Sequence, residues 1–425
     1  MSFYEDSSII ITPNAYKAGT LYAVVPTSGL ADMDVTRATA ATRVDESGLV
    51  NYAEALGSEL VTNGDFATDT DWSKGGGWEI IGGKAEALNV NGSYLVQNIN
   101  FTNAKTYKIE FSISDYLSGD VRIRFSGGAG YISTDYVSGN NTHTLYLQSI
   151  GNTVFRIQGQ NNFTASIDNV SVKEVIKDNV PRIDYTGGGC PHILAEPQRT
   201  NLITYSNDFS QSVWRKRTSD GTQVPVITNN YAISPDGTQN ASRVIITKPA
   251  TDNDYAVVDN YMVVTKSIGD KFTNSIYVKA NGGSQVGKEV NLYAWDGNIL
   301  TMATYALTDS WVRIDAVHTA TTPSGNMEAL ALGKARASSG GISLANMATD
   351  FLLSFAQLEE GSYPTSYIPT SGASVTRNQD VFTRDGIGGL INSEEGVLFV
   401  ELENITGTET TNKMVSITDG SLTNK

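Results

Sequence analysis

The 425 residues exceed the size at which a single hydrophobic core stops growing, so two or more domains are expected. Hydrophobic residues at 40% supply enough apolar surface for globular folding, and the 20 tyrosines and 40 glycines suit short strands and tight turns better than long helices. A formal net charge of −15 without any block of Lys and Arg argues against nucleic-acid binding, and the single cysteine, Cys190, excludes an intrachain disulfide framework or a Cys-based zinc cluster within one chain.

The N-terminal string MSFYEDSSIIITPNAYKAGT lacks a basic segment followed by a continuous apolar core, and no apolar run of about 20 residues occurs later, so neither signal-peptide export nor membrane insertion is expected. Residues 1–57 hold one apolar run, Ile9-Ile10-Ile11, and a strand-like stretch from Leu21 to Val25. They are too short and polar to bury a core of their own and are expected to pack on another domain or chain. From 58 to 175 period-2 alternation predicts one β-sandwich. Odd positions of Tyr107–Ile113 are apolar and even ones polar, and Val121-Arg122-Ile123-Arg124-Phe125 and Phe155-Arg156-Ile157-Gln158 repeat the pattern between SGG, SGNN and GQNN turns.

Residues 176–199 read as a linker, with Gly187-Gly188-Gly189 as a flexible or tightly turned element. A second, longer sandwich is expected at 200–368, on the same plan as the first. Leu60-Val-Thr-Asn-Gly-Asp-Phe66 followed by Trp72 corresponds to Leu202-Ile-Thr-Tyr-Ser-Asn-Asp-Phe209 followed by Trp214. KTYKIEFSI from Lys105 corresponds to DKFTNSIYVKA from Asp270, and the closing strands are Ile167–Val172 and Phe351–Phe355. Residues 369–425 are expected to link to a further sandwich, whose first strand is Gly396–Val400.

These strings carry a resemblance. NGDF, a Trp shortly after it and a closing IDNVSVKEV resemble the jelly-roll carbohydrate-binding modules attached to bacterial glycanases and found in phage proteins. NLITYSNDFSQSVW, SPDGTQNASRV, DSWVRI and QLEEGSYPTSYIPTSGASVTR look like a module recurring in tailed-bacteriophage tail-fibre and structural proteins. In such proteins DVTRATAATRVDESGLVNYAE runs almost directly into PRIDY and EPQRTNL, so the resemblance implies that 58–175 is inserted and that 31–57 pairs with 176–199. It also implies that EEGVLFVE begins a concanavalin-like sandwich. The fold class is therefore expected to be all-β, as serial jelly-roll β-sandwiches behind an N-terminal anchor.

The chemistry read from the residues is that of binding. No nucleophile elbow, P-loop, HExxH or Rossmann fingerprint occurs, and an enzyme is not expected. His143, His192 and His318 are far apart, and His318 reads as a packed or edge histidine. The pairs Glu359-Glu360 and Glu394-Glu395 diverge on a strand and read as solvated surface. A sugar platform needs exposed aromatic rings beside polar groups. Trp72 is expected in the core, whereas Trp78, Tyr131 and Tyr136, in glycine-rich surroundings, are the platform candidates. From the resemblance, a structural calcium is expected where the opening loop meets the closing strand, on Asp65 and Asp168. The alternative for both is turn and edge aspartates that cap backbone N–H groups.

The resemblance further implies a fibre or spike subunit of a virion, assembled in the host cytoplasm. It would be a homotrimer joined to other virion proteins through residues 1–57 and would display its sandwiches to host-surface glycans. Two other readings stay open: a capsid decoration or connector protein with no ligand, and a glycan-binding accessory region of an enzyme.

Overall fold

The computed structural model describes residues 3–128, 130–219, 223–391 and 397–401. The protein is all-β and is built of β-sandwiches. Its chain divides into two compact units, one formed by Lys17–Gly19 with Glu54–Val180 and the other by Met1–Tyr16, Thr20–Ala53 and Pro181–Lys425.

The smaller unit is organised by two long strands, Thr106–Ser126 and Val154–Ile176, which pair antiparallel along almost their whole length. Alternation sends Tyr107, Ile109, Phe111 and Ile113, and then Val121, Ile123 and Phe125, into one core. A straight strand would set Tyr107 and Phe125 about 60 Å apart at ~3.3 Å per residue. Their ring centroids lie only 5.9 Å apart. The strand therefore doubles back, and a nine-stranded sheet wraps into the two layers of a sandwich. The bend falls at the irregular register between Ser114 and Asp120, where Asp115 and Gly119 both take positive φ, 54° and 77°. A Cβ on Gly119 would sit 2.4 Å from the backbone of Phe163, so glycine is required there.

The larger unit contains a sandwich of two five-stranded sheets. One runs in the order Trp214–Thr218, Ala256–Val264, Gly325–Lys334, Glu289–Trp295, Leu300–Ala306. The other runs Val226–Ala232, Ala241–Ile245, Asp350–Glu360, Lys271–Ala280, Val312–Thr319. Trp214, Phe272, Leu332 and Phe351 lie in the core between them. The two sandwiches open alike at the atomic level. Trp72 Nε1 donates to the carbonyl of Asn63 and Trp214 Nε1 to that of Tyr205, each at 2.9 Å and each nine residues back. Phe66 packs 5.3 Å from Trp72, and Phe209 packs 4.7 Å from Trp214.

Short two-stranded pairs, two of them hairpins and two between segments far apart in sequence, complete the larger unit. Thr42–Val44 pairs with Val50–Tyr52, Ile183–Asp184 with His192–Ile193, Arg199–Asn201 with Val375–Arg377, and Asp34–Thr36 with Val381–Thr383. The Gly187-Gly188-Gly189 run is the turn between the second of these pairs, with φ of 85°, 75° and 89°. Arg37, Arg182 and Arg377 are buried among these segments around Asp380 and Glu196. Asp380 accepts from Arg37 Nη1 at 2.8 Å, from Arg182 Nη2 and from the Glu196 backbone N–H at 3.0 Å. Glu196 accepts from Arg182 Nη1 at 2.7 Å and from Arg377 Nη1 at 2.6 Å.

Two expectations are corrected here. Glu359 is not solvated: it is fully buried and accepts from the backbone N–H of Thr365 at 2.9 Å and from the Thr365 hydroxyl, because it faces the chain that returns after Gly361. Val397–Val400 form no strand and stay exposed; among the described residues no neighbouring strand offers them a hydrogen-bond ladder. Glu394, Glu395, Gly396 and the rest of the expected C-terminal sandwich, 402–425, lie outside the described residues.

Candidate functional site

The residues that alternate outward on three neighbouring strands of the first sandwich make a patch of unusual chemistry. Inward-facing Val121, Ile123, Phe125, Phe155, Ile157 and Leu95 are all in the core. The intervening positions must then face away from it: Arg122 and Arg124 on the first strand, Arg156 and Gln158 on the second, Tyr94 and Val96 on the third. The register sets Tyr94 opposite Gln158, Val96 opposite Arg156, Arg122 opposite Gln158 and Arg124 opposite Arg156. Arg122 Nε donates to Gln158 Oε1 at 2.8 Å, and Arg124 Nη1 donates to the Tyr94 hydroxyl at 3.1 Å.

Tyr131 and Tyr136 join this face from the segment that follows the strand. Asn152 Nδ2 donates to the carbonyls of Gly127 and Gly130 at 3.2 and 3.0 Å, and Val121 and Val137 exchange backbone hydrogen bonds. The segment is thereby pinned over the sheet edge. The Arg124 guanidinium lies 3.6 Å from the Tyr131 ring centroid, Arg122 lies 4.6 Å from Tyr136 and Arg156 lies 5.0 Å from Tyr94. Such stacking is worth roughly 0.5–1 kcal/mol at exposed sites and fixes the rings in place. Tyr131 is still 63% exposed and Tyr136 41% exposed. The result is an open sheet face with two held tyrosines at one side and guanidinium N–H donors across it.

Trp78 does not belong to this face, and that expectation is corrected. It is 4% exposed, pairs with Ala87 and packs 6.1 Å from Phe163 in the core. The glycines before it form a tight turn, with Gly77 at φ 85°, that feeds the Trp78–Ile81 strand, so the first side chain after the turn points inward.

Asp65 and Asp168 are placed by the opening loop and the closing strand. Asp65 is exposed and accepts weakly from the Ala67 N–H at 3.4 Å, while Asp168 accepts from the Asn169 N–H at 2.6 Å. Among the described residues no three His, Cys, Asp or Glu side chains converge as metal ligands. Calcium takes six to eight oxygens, backbone carbonyls and waters among them, so these two carboxylates would supply only part of such a shell. The junction itself is closed by Glu59. Its Oε1 accepts from the backbone N–H groups of Val172, Leu60 and Val61 at 2.8, 3.1 and 3.1 Å, and its Oε2 accepts from Ser171 Oγ at 2.6 Å. Glu59→Ala is expected to cost the small sandwich about 1–2 kcal/mol through the lost bonds from Val172, Val61 and Ser171, read as a lowered thermal midpoint.

His318 is buried, with Nδ1 3.0 Å from the Thr301 hydroxyl and Nε2 3.4 Å from Asp296; burial pushes its pKa down. His143 packs 5.5 Å from Phe111, and His192 lies 3.2 Å from Asp184. The three histidines stay apart. The arginines of the sheet face were the residues that sequence reasoning passed over. Their signal was present, since two strands of an acidic chain carry Arg at the outward positions, but strand parity alone does not show that the two strands are neighbours.

No protein-family model matches this chain, and no curated protein matches it. Among solved structures it is similar to the tandem CBM22-1–CBM22-2 domain of Paenibacillus barcinonensis Xyn10C. That likeness has 12% identity, covers 72% of this chain and 98% of that one, and has a TM-score of 0.28. The tandem CBM51 modules of Sp3GH98, the family 98 glycoside hydrolase of Streptococcus pneumoniae SP3-BS71, match at 10% identity over 77% of this chain and 99% of that one, with a TM-score of 0.22.

Proposed function

We propose that the first sandwich is a glycan-binding module that holds a sugar chain across the face of Tyr131, Tyr136, Tyr94, Arg122 and Arg124. The observation that carries this reading is the pair of exposed tyrosines held in place by stacked arginines. A pyranose ring stacks its apolar face on such rings, while guanidinium and phenol groups bond its oxygens. The resemblance of the 200–377 strings supplies the setting: a fibre or spike subunit of a tailed-bacteriophage virion, in which many weak contacts to a host glycan add up. Trimeric assembly and attachment to other virion proteins through residues 1–57 belong to the same proposal.

The test is affinity electrophoresis of the full chain through gels containing soluble polysaccharides. Retardation by at least one of them is expected, and Tyr131→Ala with Tyr136→Ala should abolish it while the thermal midpoint holds, since both rings are solvated. A wild-type chain that no polysaccharide slows would sink the reading. The setting has its own test. Cryo-electron microscopy of particles carrying the protein should show residues 1–57 docked symmetrically at a capsid or tail vertex; a catalytic domain following residue 425 in a free protein would replace that setting with the accessory-region reading.

A further inference from the structure

We infer that the ligand of this face is an acidic polysaccharide, one whose rings carry carboxylate, sulfate or phosphodiester groups. The inference rests on the glycan-binding reading and adds the chemical class.

The first ground is charge pairing. The chain has 45 acidic side chains against 30 Lys and Arg, so carboxylates are in excess. Arg37, Arg182, Arg215, Arg217, Arg243, Arg377 and Arg384 each have a carboxylate within ion-pair distance. Arg122, Arg124 and Arg156 have none among the described residues; Asp120, on the same strand, gives its carboxylate to Asn161 Nδ2 at 2.9 Å. Asp135, next to Tyr136, is exposed and forms no ion pair with these arginines. Arg124 and Arg156 moreover sit directly opposite one another in the ladder, a like-charge juxtaposition that destabilises a sheet. A fold surrounded by available carboxylates has left three guanidinium groups together without one.

The second ground is donor–acceptor balance. A neutral sugar presents hydroxyls, which donate as well as accept, so a site for one supplies acceptors too. This face supplies mostly donors. Its amide oxygen, Gln158 Oε1, is already taken by Arg122, and the Tyr94 hydroxyl already accepts from Arg124. Planar forks of N–H donors match groups that only accept, and carboxylate, sulfate and phosphate are such groups.

The experiment measures binding of the full chain to polygalacturonate, alginate, chondroitin sulfate and a teichoic acid, beside neutral glucan, galactan and mannan and a duplex DNA. Acidic chains should bind at low ionic strength, weaken as salt screens them, and lose roughly ten- to hundredfold in affinity on Arg124→Gln or Arg156→Gln. Which acidic chain binds tells carboxylate from sulfate from phosphodiester. Arg124→Lys should recover part of the loss, which a merely structural role would not show. Binding of neutral chains alone, abolished by Tyr131→Ala, would overturn the acidic class and leave the glycan-binding face standing. Binding of none would overturn both. Duplex DNA held as tightly as the best polysaccharide would also overturn it, because charge alone would then account for the result.

Discussion

Asp380→Ala is expected to destabilise the larger unit by about 3–5 kcal/mol, the range for removing one partner from a buried charge network. Asp380 is fully buried at its side chain, as are Arg37 and Arg182, which it neutralises. Its loss leaves the Arg37 and Arg182 guanidinium groups in a dry site without the carboxylate that bridges them, and it orphans the Glu196 backbone N–H. Hydrogen exchange reads the outcome by segment: amides of 182–201 and 365–383 should lose protection, and those of Tyr107–Phe125 in the first sandwich should keep theirs. Arg37→Met combined with Asp380→Leu should cost less than Asp380→Ala alone, since removing both partners leaves fewer buried charges unmatched. Equal costs for the two variants would mean that charge pairing is not what holds these segments together.

That network also shows where sequence reading stops. Alternation around Tyr107, Ile123 and Phe155 gave the strands and their inward faces, because side-chain parity is a local property. Trp72 and Trp214 gave the repeat, because the same local motif places each indole over a carbonyl nine residues back. What parity could not supply is adjacency. Arg124 and Arg156 are more than thirty positions apart, and only the register of two doubling-back strands makes them opposite. Arg37 and Asp380 lie in segments 343 residues apart and meet only in the fold. Trp78 and Glu359 were misread for the converse reason. Their neighbours look like surface sequence, whereas the returning chain that buries them is remote or lies beyond a turn.

Acid should loosen the larger unit through Glu196. Burial alone would push this carboxyl up, but the Arg377 and Arg182 guanidiniums and the Ser366 hydroxyl outweigh it and hold the pKa down to about 2, from an ordinary 4.5. A carboxyl whose folded pKa is depressed contributes stability that is complete above the unfolded value and is lost as pH falls through the folded one. The window is therefore from about 4.5 down to about 2, and the shift corresponds to about 3 kcal/mol at neutral pH. Glu328, in the sandwich of the same unit, acts in the opposite sense. Burial raises its pKa despite Arg217 at 2.6 Å and Arg215 at 3.3 Å, so it costs stability above its unfolded pKa and that cost is relieved as acid protonates it. Denaturant midpoints followed by Trp fluorescence from pH 7 to 2 should thus fall less steeply than Glu196 alone dictates. Glu328→Gln, which removes the opposing contribution, should steepen the fall, and Glu196→Gln should flatten it at a lower neutral-pH stability. A Glu196→Gln chain with the wild-type pH profile would show that the buried guanidinium groups are not reading its charge.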